Sequence, residues 1–225
     1  MNTVIRPESI RPSVALRMKL QLAMPMLNRV MRALWQPAEL TERYLDYLTV
    51  MHAVIRASVP LMQAAQRQCV ELAGDPVAAT LAGYYAKHIK EELHHDEWLL
   101  VDLADAGRDP TRVLTDPPPA AVARMVGAQY YWLRHYHPVC LLGYIAVMEG
   151  NAPPTWLAGQ LAGSSELPSA AFRTLHHHAL ADLGHSADFD AFLDSLTLPV
   201  KLQQAVAISA LNTVAGFAEV LTRLI

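Results

Sequence analysis

Apolar residues recur at three- and four-residue spacing along most of the chain, and no alternating strand pattern persists. Residues that favour helices, namely Ala, Leu, Met, Gln and Glu, are abundant. A period close to 3.6 residues is typical of helices that bury one face. The pattern therefore predicts an all-α protein.

Prolines and capping residues divide this pattern into separate helices. Asp75 followed by Pro76 predicts an N-cap with proline at the first helical position. The helix that begins there is predicted to run without interruption to about Ala106 and to end at Gly107. Further boundaries are predicted at Pro37, Pro60, Pro117–Pro119, Pro138, Pro153–Pro154, Pro168 and Pro199. The expected architecture is one bundle of about seven or eight helices.

The chain length fits this architecture. A chain of 225 residues is long enough to bury a large core as one domain. We therefore expect a single domain over residues 1–225, with residues 1–12 forming a loose N-terminal tail.

Composition narrows the functional classes. Hydrophobic residues make up 52% of the chain and charged residues 17%, yet polar side chains interrupt the apolar stretch at 205–225, so no membrane span is expected. The N-terminus lacks the apolar core of a signal peptide, which predicts a cytoplasmic protein. A net charge of −3 without a basic run argues against nucleic-acid binding. With so few charges, an apolar helix face could pair two copies, so the sequence leaves the choice between monomer and homodimer open.

Histidines are the most informative residues. Ten are present, and six fall in two clusters. In the segment HHHALADLGHSADF at 176–189, His178, Asp182 and His185 stand at offsets 0, 4 and 7. At about 100° per residue they lie within about 60° of one another on a helix. Two imidazoles and a carboxylate on one face suit iron, manganese or zinc and leave coordination positions open.

The second cluster repeats this spacing. In the segment HIKEELHHDEW at 88–98, His88, Glu92 and His95 stand at the same three offsets. Glu-x-x-His places a carboxylate and an imidazole one turn apart, close enough to share a metal. Glu91 lies close to the same stripe, so the choice between Glu91 and Glu92 stays open.

A third candidate ligand is an isolated acid. Glu149 ends the apolar run LLGYIAVME. A lone carboxylate is costly to bury without a cation, and a metal would supply one. Helix bundles build metal sites from inward carboxylates and histidines on facing helices. The three segments together predict a shared metal site.

These residues also carry a family likeness. HxxEExxH at 88–95, then Glu149, then HxxxDxxH at 178–185 resembles the haem-oxygenase-like di-metal oxidases and oxygenases. Their superfamily also contains haem oxygenases and the TenA-like thiaminases. The likeness covers roughly residues 35–200 and implies a haem-oxygenase-like helical bundle.

The resemblance implies a cofactor and a reaction class. It implies two iron ions, or iron with manganese, and O₂ activation supported by an external electron donor. The substrate would be a small organic molecule of a fatty-acid-like or amino-acid-like kind. No haem is expected, because a haem oxygenase uses one proximal histidine and would not need six clustered ligands. The implied metal ligands are Glu92, His95, Glu149, His178, Asp182 and His185.

The chain departs from the family pattern at one position. Some members place a glutamate seven residues before the first ligand histidine, and here that position is His88. His88 then either replaces that ligand or donates a hydrogen bond that orients one.

Two alternative functions stay open. Cys140, four residues before Tyr144, resembles the nucleophile of the TenA-like thiaminases, which would make the protein a metal-independent hydrolase. That hypothesis leaves the ligand-type residues unexplained. The second alternative is a non-catalytic helical protein that binds a metal or a partner. Side chains of a type that could line a substrate pocket are His52, Tyr84, Tyr131 and Tyr144.

Overall fold

Most helix ends in the computed structural model lie close to the prolines and caps that the sequence predicts. The Asp75 side chain accepts hydrogen bonds from the backbone N–H groups of Val77 and Ala78, and Pro76 occupies the first helical position. The structure describes residues 10–225, with the side chains of residues 181–185 left out. Most of the tail predicted for residues 1–12 therefore lies outside the described residues.

Eleven α-helices and two short 3-10 helices make up the described part of the chain, and no strand occurs there. The all-α prediction is confirmed. The α-helices are α1 (Pro12–Leu34), α2 (Leu40–Ile55), α3 (Ser58–Glu71), α4 (Pro76–Glu92), α5 (His95–Asp105), α6 (Thr111–Thr115), α7 (Ala120–His135), α8 (Leu141–Glu149), α9 (Leu157–Ser164), α10 (Arg173–Ser195) and α11 (Val200–Thr222). The 3-10 helices span Pro138–Cys140 and Ser169–Phe172.

The long helix predicted between Pro76 and Ala106 is interrupted. Leu93 is extended, and His94 has a left-handed backbone with φ of 70°. Residues other than glycine adopt that conformation only rarely, so the helical pattern of the sequence did not predict a break at His94. The interruption ends α4 directly after Glu92 and starts α5 at His95, so these two side chains belong to different helices.

The C-terminal helix α11 lies at the centre of the packing. It contacts α1, α7 and α8. By length and composition it could cross a membrane, but 56% of its most apolar window is buried against the rest of the protein. That burial is typical of a core helix, and α11 forms the wall against which α8 is held.

Polar contacts fix the position of α10, the helix that carries His178. Arg17 of α1 donates from Nε to Asp190 at 2.6 Å. Ser13 donates its backbone N–H and its hydroxyl to Asp194, both at 2.8 Å. These bonds tie the C-terminal half of α10 to α1.

The N-terminal end of α10 is also anchored. The buried Asp102 carboxylate of α5 accepts a hydrogen bond from the Thr174 backbone N–H at 2.9 Å. A carboxylate at a helix N-terminus is favourable because it meets unpaired N–H groups and the positive end of the helix dipole. The two histidine-bearing helices α5 and α10 are thereby held side by side.

Candidate metal centre

Three side chains converge where α4 meets α8. Ligand-type atoms of His88, Glu92 and Glu149 all lie within 4.8 Å of one another. His88 and Glu149 are buried and Glu92 is half-buried. Nitrogen and carboxylate oxygen at this separation are a donor set that suits iron, manganese or zinc.

Glu149 is the most unusual member of this group. Its side chain is 9% exposed, and neither carboxylate oxygen has a hydrogen bond of good geometry. Its nearest described cationic group is His88, whose Nε2 lies 2.5 Å from Oε1. A buried carboxylate in this condition lacks the partners that such groups need, and a metal ion would supply them.

His88 lies between two carboxylates. Its Nδ1 is 3.2 Å from Oε2 of Glu91, while its Nε2 faces Glu149. Burial lowers the pKa of His88, but its close contacts with Glu149 and Glu91 and the charge of Glu92 outweigh it and raise that pKa above its ordinary value. A proton held here occupies the position that a metal would take, so metal binding should release it.

A backbone hydrogen bond orients the His178 ring in a way that suits metal binding. Its Nδ1 lies 2.9 Å from the carbonyl oxygen of Thr174. A carbonyl only accepts, so Nδ1 carries the proton and Nε2 keeps a free lone pair. Burial lowers the pKa of His178, which favours this neutral form. His178 faces the same cavity as Glu92 and Glu149.

His95 stands beside Glu92 despite the interruption between their helices. Its Nδ1 is 3.3 Å from Oε2 of Glu92, and its ring lies 4.1 Å from Trp98 and 5.3 Å from His178. Burial raises the pKa of Glu92, but the close contact with His95 and the charges of the nearby imidazoles bring it below its usual value. Glu92 is thus held as a carboxylate, the form that binds metals.

The neighbouring Glu91 has different surroundings. It contacts His88 Nδ1 on one side and the exposed Lys87 on the other, and it does not line the cavity. Its contact on Nδ1 leaves Nε2 of His88 directed towards Glu149, an arrangement common around metal-binding histidines. Glu92 is therefore the better candidate for a ligand, and Glu91 the better candidate for a residue that positions His88.

The remaining two predicted ligands, Asp182 and His185, follow His178 on α10 by four and seven residues. Their side chains lie outside the described residues. Their role as ligands stays a prediction.

A cavity of about 120 Å³ opens beside these ligands. If one water needs about 10–15 Å³ on this scale, the cavity has room for about eight to twelve waters. His88, Glu92, Glu149 and His178 lie in its wall, and most of the remainder is apolar. The apolar lining comes from Met31, Leu48, Met51, Ile55, Leu61, Met62, Leu99, Leu141, Ile145, Met148, Pro153, Leu157, Leu175 and Phe217.

The four predicted pocket residues have different positions. Tyr144 lines the cavity. His52 is buried but not in the cavity wall, and Tyr84 stacks between His88 and Phe192 behind the ligands. Tyr131 is 64% exposed on α7 and is also absent from the wall.

Cys140 is buried and does not line the cavity. Burial raises the pKa of its thiol to about 11, so the thiolate needed for nucleophilic attack is scarce at neutral pH.

Sequence reasoning did not select some of the residues in this site. Trp35 and Thr174 line the cavity, and Trp98 packs on His95. Thr174 stands four residues before His178, which is the spacing that allows its carbonyl to bond the imidazole. Trp35 comes from the end of α1, and no local spacing connects it to the ligands.

The two adjacent glutamates should respond differently to substitution. Glu92→Gln is expected to abolish tight binding of one ferrous ion because it removes a ligand charge. Glu91→Gln should weaken iron binding only about tenfold because it loosens the orientation of His88. Competition between the protein and a chromophoric chelator measures both affinities. The exposed Glu97 provides the control as Glu97→Gln, and the reverse order of the two effects would contradict the assignment.

Comparison with known families and structures bears on this site. A family model described as iron-containing redox enzyme matches residues 84–217, the segment that carries all the predicted ligands. Among curated proteins, no sequence matches this chain.

Solved structures share the fold. A domain of unknown function with a haem-oxygenase-like fold from Shewanella denitrificans has a TM-score of 0.77 at 16% identity, with 96% of this chain and 93% of that chain covered. A TenA homologue from Pseudomonas syringae has a TM-score of 0.75 at 13% identity, with coverage of 100% and 97%. A CADD-like protein of unknown function from Nostoc punctiforme has a TM-score of 0.65 at 14% identity, with coverage of 93% and 96%. The haem-oxygenase-like fold predicted from the sequence is confirmed.

Proposed function

The chain belongs to the family of iron-containing redox enzymes, and from this premise we propose that it is a non-haem di-iron oxidase or oxygenase. It would use O₂ and an external electron donor to oxidise a small organic substrate. The observation that carries the proposal is Glu149. Its buried carboxylate has no completed hydrogen bond and lies against His88 and Glu92 at the wall of a cavity.

The residues available to hold iron fit that metal. Carboxylates and imidazoles together suit non-haem iron, and here they come from facing helices of a bundle. The proposed ligands are Glu92, His95, Glu149, His178, Asp182 and His185, with His88 as an additional ligand on the Glu149 side. Bound iron would supply the O₂ chemistry that protein side chains lack.

The protein's own contribution is to shape and dry the space next to the ligands. Methionine, leucine and isoleucine side chains surround the cavity, which excludes bulk water from the substrate. Thr174 keeps His178 in the tautomer that leaves Nε2 free. Glu91 holds the His88 ring so that its Nε2 faces Glu149.

The cavity wall favours a fatty-acid-like substrate over an amino-acid-like one. No lysine or arginine occurs among the described lining residues, and the acids there are the ligands Glu92 and Glu149. An amino acid would bury both an ammonium and a carboxylate, and each would need a partner of its own. An aliphatic molecule with one head group at the iron requires no further charge.

A TenA-like hydrolase is the alternative from another class. The likeness to the Pseudomonas syringae protein is a likeness of fold. The buried Cys140, with its raised pKa and its place outside the cavity wall, does not favour this function.

Anaerobic loading with ferrous iron tests the proposal. We expect about two irons per chain, and we expect O₂ uptake that depends on a medium-chain aliphatic substrate and a reductant. His178→Ala should lose both properties, while Cys140→Ser should keep them. Metal-free protein that hydrolyses thiamin and loses this activity on Cys140→Ser would contradict the proposal. Stoichiometric iron without substrate-dependent O₂ uptake would instead indicate a non-catalytic metal-binding protein.

A further inference from the structure

Besides Glu149, three buried polar groups in the cavity wall lack hydrogen-bond partners. They are the Tyr144 hydroxyl, the Thr174 hydroxyl and the Trp35 indole N–H. Buried polar atoms of native proteins nearly always have a partner, so each exception needs an explanation such as a ligand. The Tyr144 and Trp35 side chains are otherwise packed among apolar neighbours.

Tyr144 is the best defined of the three. Its side chain is 2% exposed, and it lies on the part of α8 that borders the cavity together with Leu141, Ile145, Met148 and Glu149. Tyr144 and Glu149 are five positions apart, so their Cα atoms are about 7.5 Å apart along the helix axis. The cavity therefore has an unpartnered hydroxyl and the proposed iron ligand in the same helical wall.

Ser58 is the polar neighbour that could have satisfied this hydroxyl. It also lines the cavity and interacts with the Tyr144 phenol. However, no hydrogen bond of acceptable geometry joins the two side chains. The pair thus forms a small neutral polar spot in an otherwise apolar stretch of wall.

We propose that the Tyr144 hydroxyl hydrogen-bonds a neutral polar group, a hydroxyl or a carbonyl, within an otherwise apolar substrate bound in the cavity that Tyr144 and Glu149 both line. An anionic group is disfavoured at this position because the described lining residues include no lysine or arginine and the charge of Glu92 acts on the Tyr144 phenol. Tyr144 would then be a specificity-determining residue that selects oxygenated aliphatic molecules over plain ones.

This inference depends on the proposed function in one respect only, namely which end of the substrate is oxidised. The hydrogen bond itself needs no iron, so ligand binding by metal-free protein tests it separately. A failure of O₂ uptake would therefore leave the binding result intact.

The probes are neutral and sized for the cavity. Octanols and octanones differing in the position of the oxygen supply the hydrogen-bonding group, and butylbenzene is the apolar comparison. Isothermal titration of metal-free and iron-loaded protein measures each affinity. At least one octanol or octanone should bind to the wild-type protein, and Tyr144→Phe should weaken its binding roughly fivefold to tenfold.

Butylbenzene, which has no hydrogen-bonding group, distinguishes a hydrogen-bonding role of Tyr144 from a structural one. Its affinity should stay the same or rise in Tyr144→Phe, whereas a merely structural role of Tyr144 would shift all ligands in parallel. Tyr131→Phe, on the exposed face of α7, should change neither class of ligand. The proposal is overturned if no octanol or octanone binds, or if Tyr144→Phe weakens both classes equally or weakens neither.

Discussion

Glu149→Gln is expected to abolish tight iron binding and to lower substrate-dependent O₂ uptake at least about a hundredfold. Glutamine preserves the shape of the side chain but removes the charge that draws a cation into a buried site. The native carboxylate has no completed hydrogen bond and faces only His88 at 2.5 Å among the described cationic groups. Metal analysis and O₂ uptake measure the two losses.

The same substitution should not destabilise the metal-free protein. Burying an ionised carboxylate without sufficient partners is unfavourable, and a neutral amide of the same size removes much of that cost. We therefore expect the metal-free variant, at a pH above the raised pKa of His88, to unfold at the same temperature as the wild type or at a higher one, whereas at lower pH it should lose the stabilisation that Glu149 gives protonated His88. This behaviour is the opposite of that of most substitutions at buried positions.

Added iron should stabilise the wild-type protein but not the Glu149→Gln variant. At a free iron concentration about one hundredfold above the dissociation constant, binding adds about 2.7 kcal/mol to the stability of the wild type. For a chain of this size that corresponds to roughly 5–10 °C in the midpoint of thermal unfolding. Glu149→Gln should show no such increase, while the exposed control Glu166→Gln should retain it in full. A variant that binds and is stabilised by iron like the wild type would refute the role of Glu149.

The sequence was sufficient for the ends of the helices but not for the interruption in the middle of one. Proline at Pro76 and the cap at Asp75 act through neighbouring backbone groups, so their effect is local and can be predicted. The left-handed conformation of His94 has no strong local signature, because residues other than glycine adopt it far less often. The helix that follows it, α5, packs against α2 and α10, and such long-range contacts are not visible in local sequence.

Candidate ligands could also be predicted in part. The offsets of His88, Glu92 and His95 were derived for one continuous helix, yet His95 begins a new one. The pairing of Glu92 with His95 nevertheless occurs, at 3.3 Å, because a turn of irregular backbone replaces a turn of helix. Whether Glu91 or Glu92 faces the cavity depended on how α4 packs, which sequence spacing does not determine.

The cavity was the least predictable feature. Tyr144 could be chosen by residue type, but Trp35 and Met31 reach the cavity from α1, more than fifty positions before the first metal ligand. Contacts over that distance depend on the arrangement of whole helices. That arrangement depends in turn on how closely α8 approaches α11, the helix at the centre of the packing.

Gly143→Ala is expected to be strongly destabilising because α8 and α11 meet at this glycine. A Cβ at position 143 would collide with the backbone carbonyl of Val206, and it would lie 2.6 Å from the Ala210 nitrogen and 2.8 Å from the Ser209 Cβ. Backbone atoms of a buried helix cannot rotate away, so the two helices must separate. Overpacking of this kind costs typically about 1–3 kcal/mol, and we expect the upper end of that range.

Thermal unfolding of the metal-free protein gives the sharpest comparison, because the matched control should move in the opposite direction. Gly143→Ala should lower the midpoint by roughly 6–12 °C if it costs about 3 kcal/mol. Gly127, inside α7, has no heavy atom within 4 Å of an added Cβ. Gly127→Ala should therefore stabilise the protein by about 0.5–1 kcal/mol, the usual gain when alanine replaces glycine in a helix. If both substitutions changed the unfolding temperature equally, α8 would not be in close contact with α11 at Gly143. A large effect confined to Gly143 would support the close contact between α11 and α8, the helix that carries both Tyr144 and Glu149.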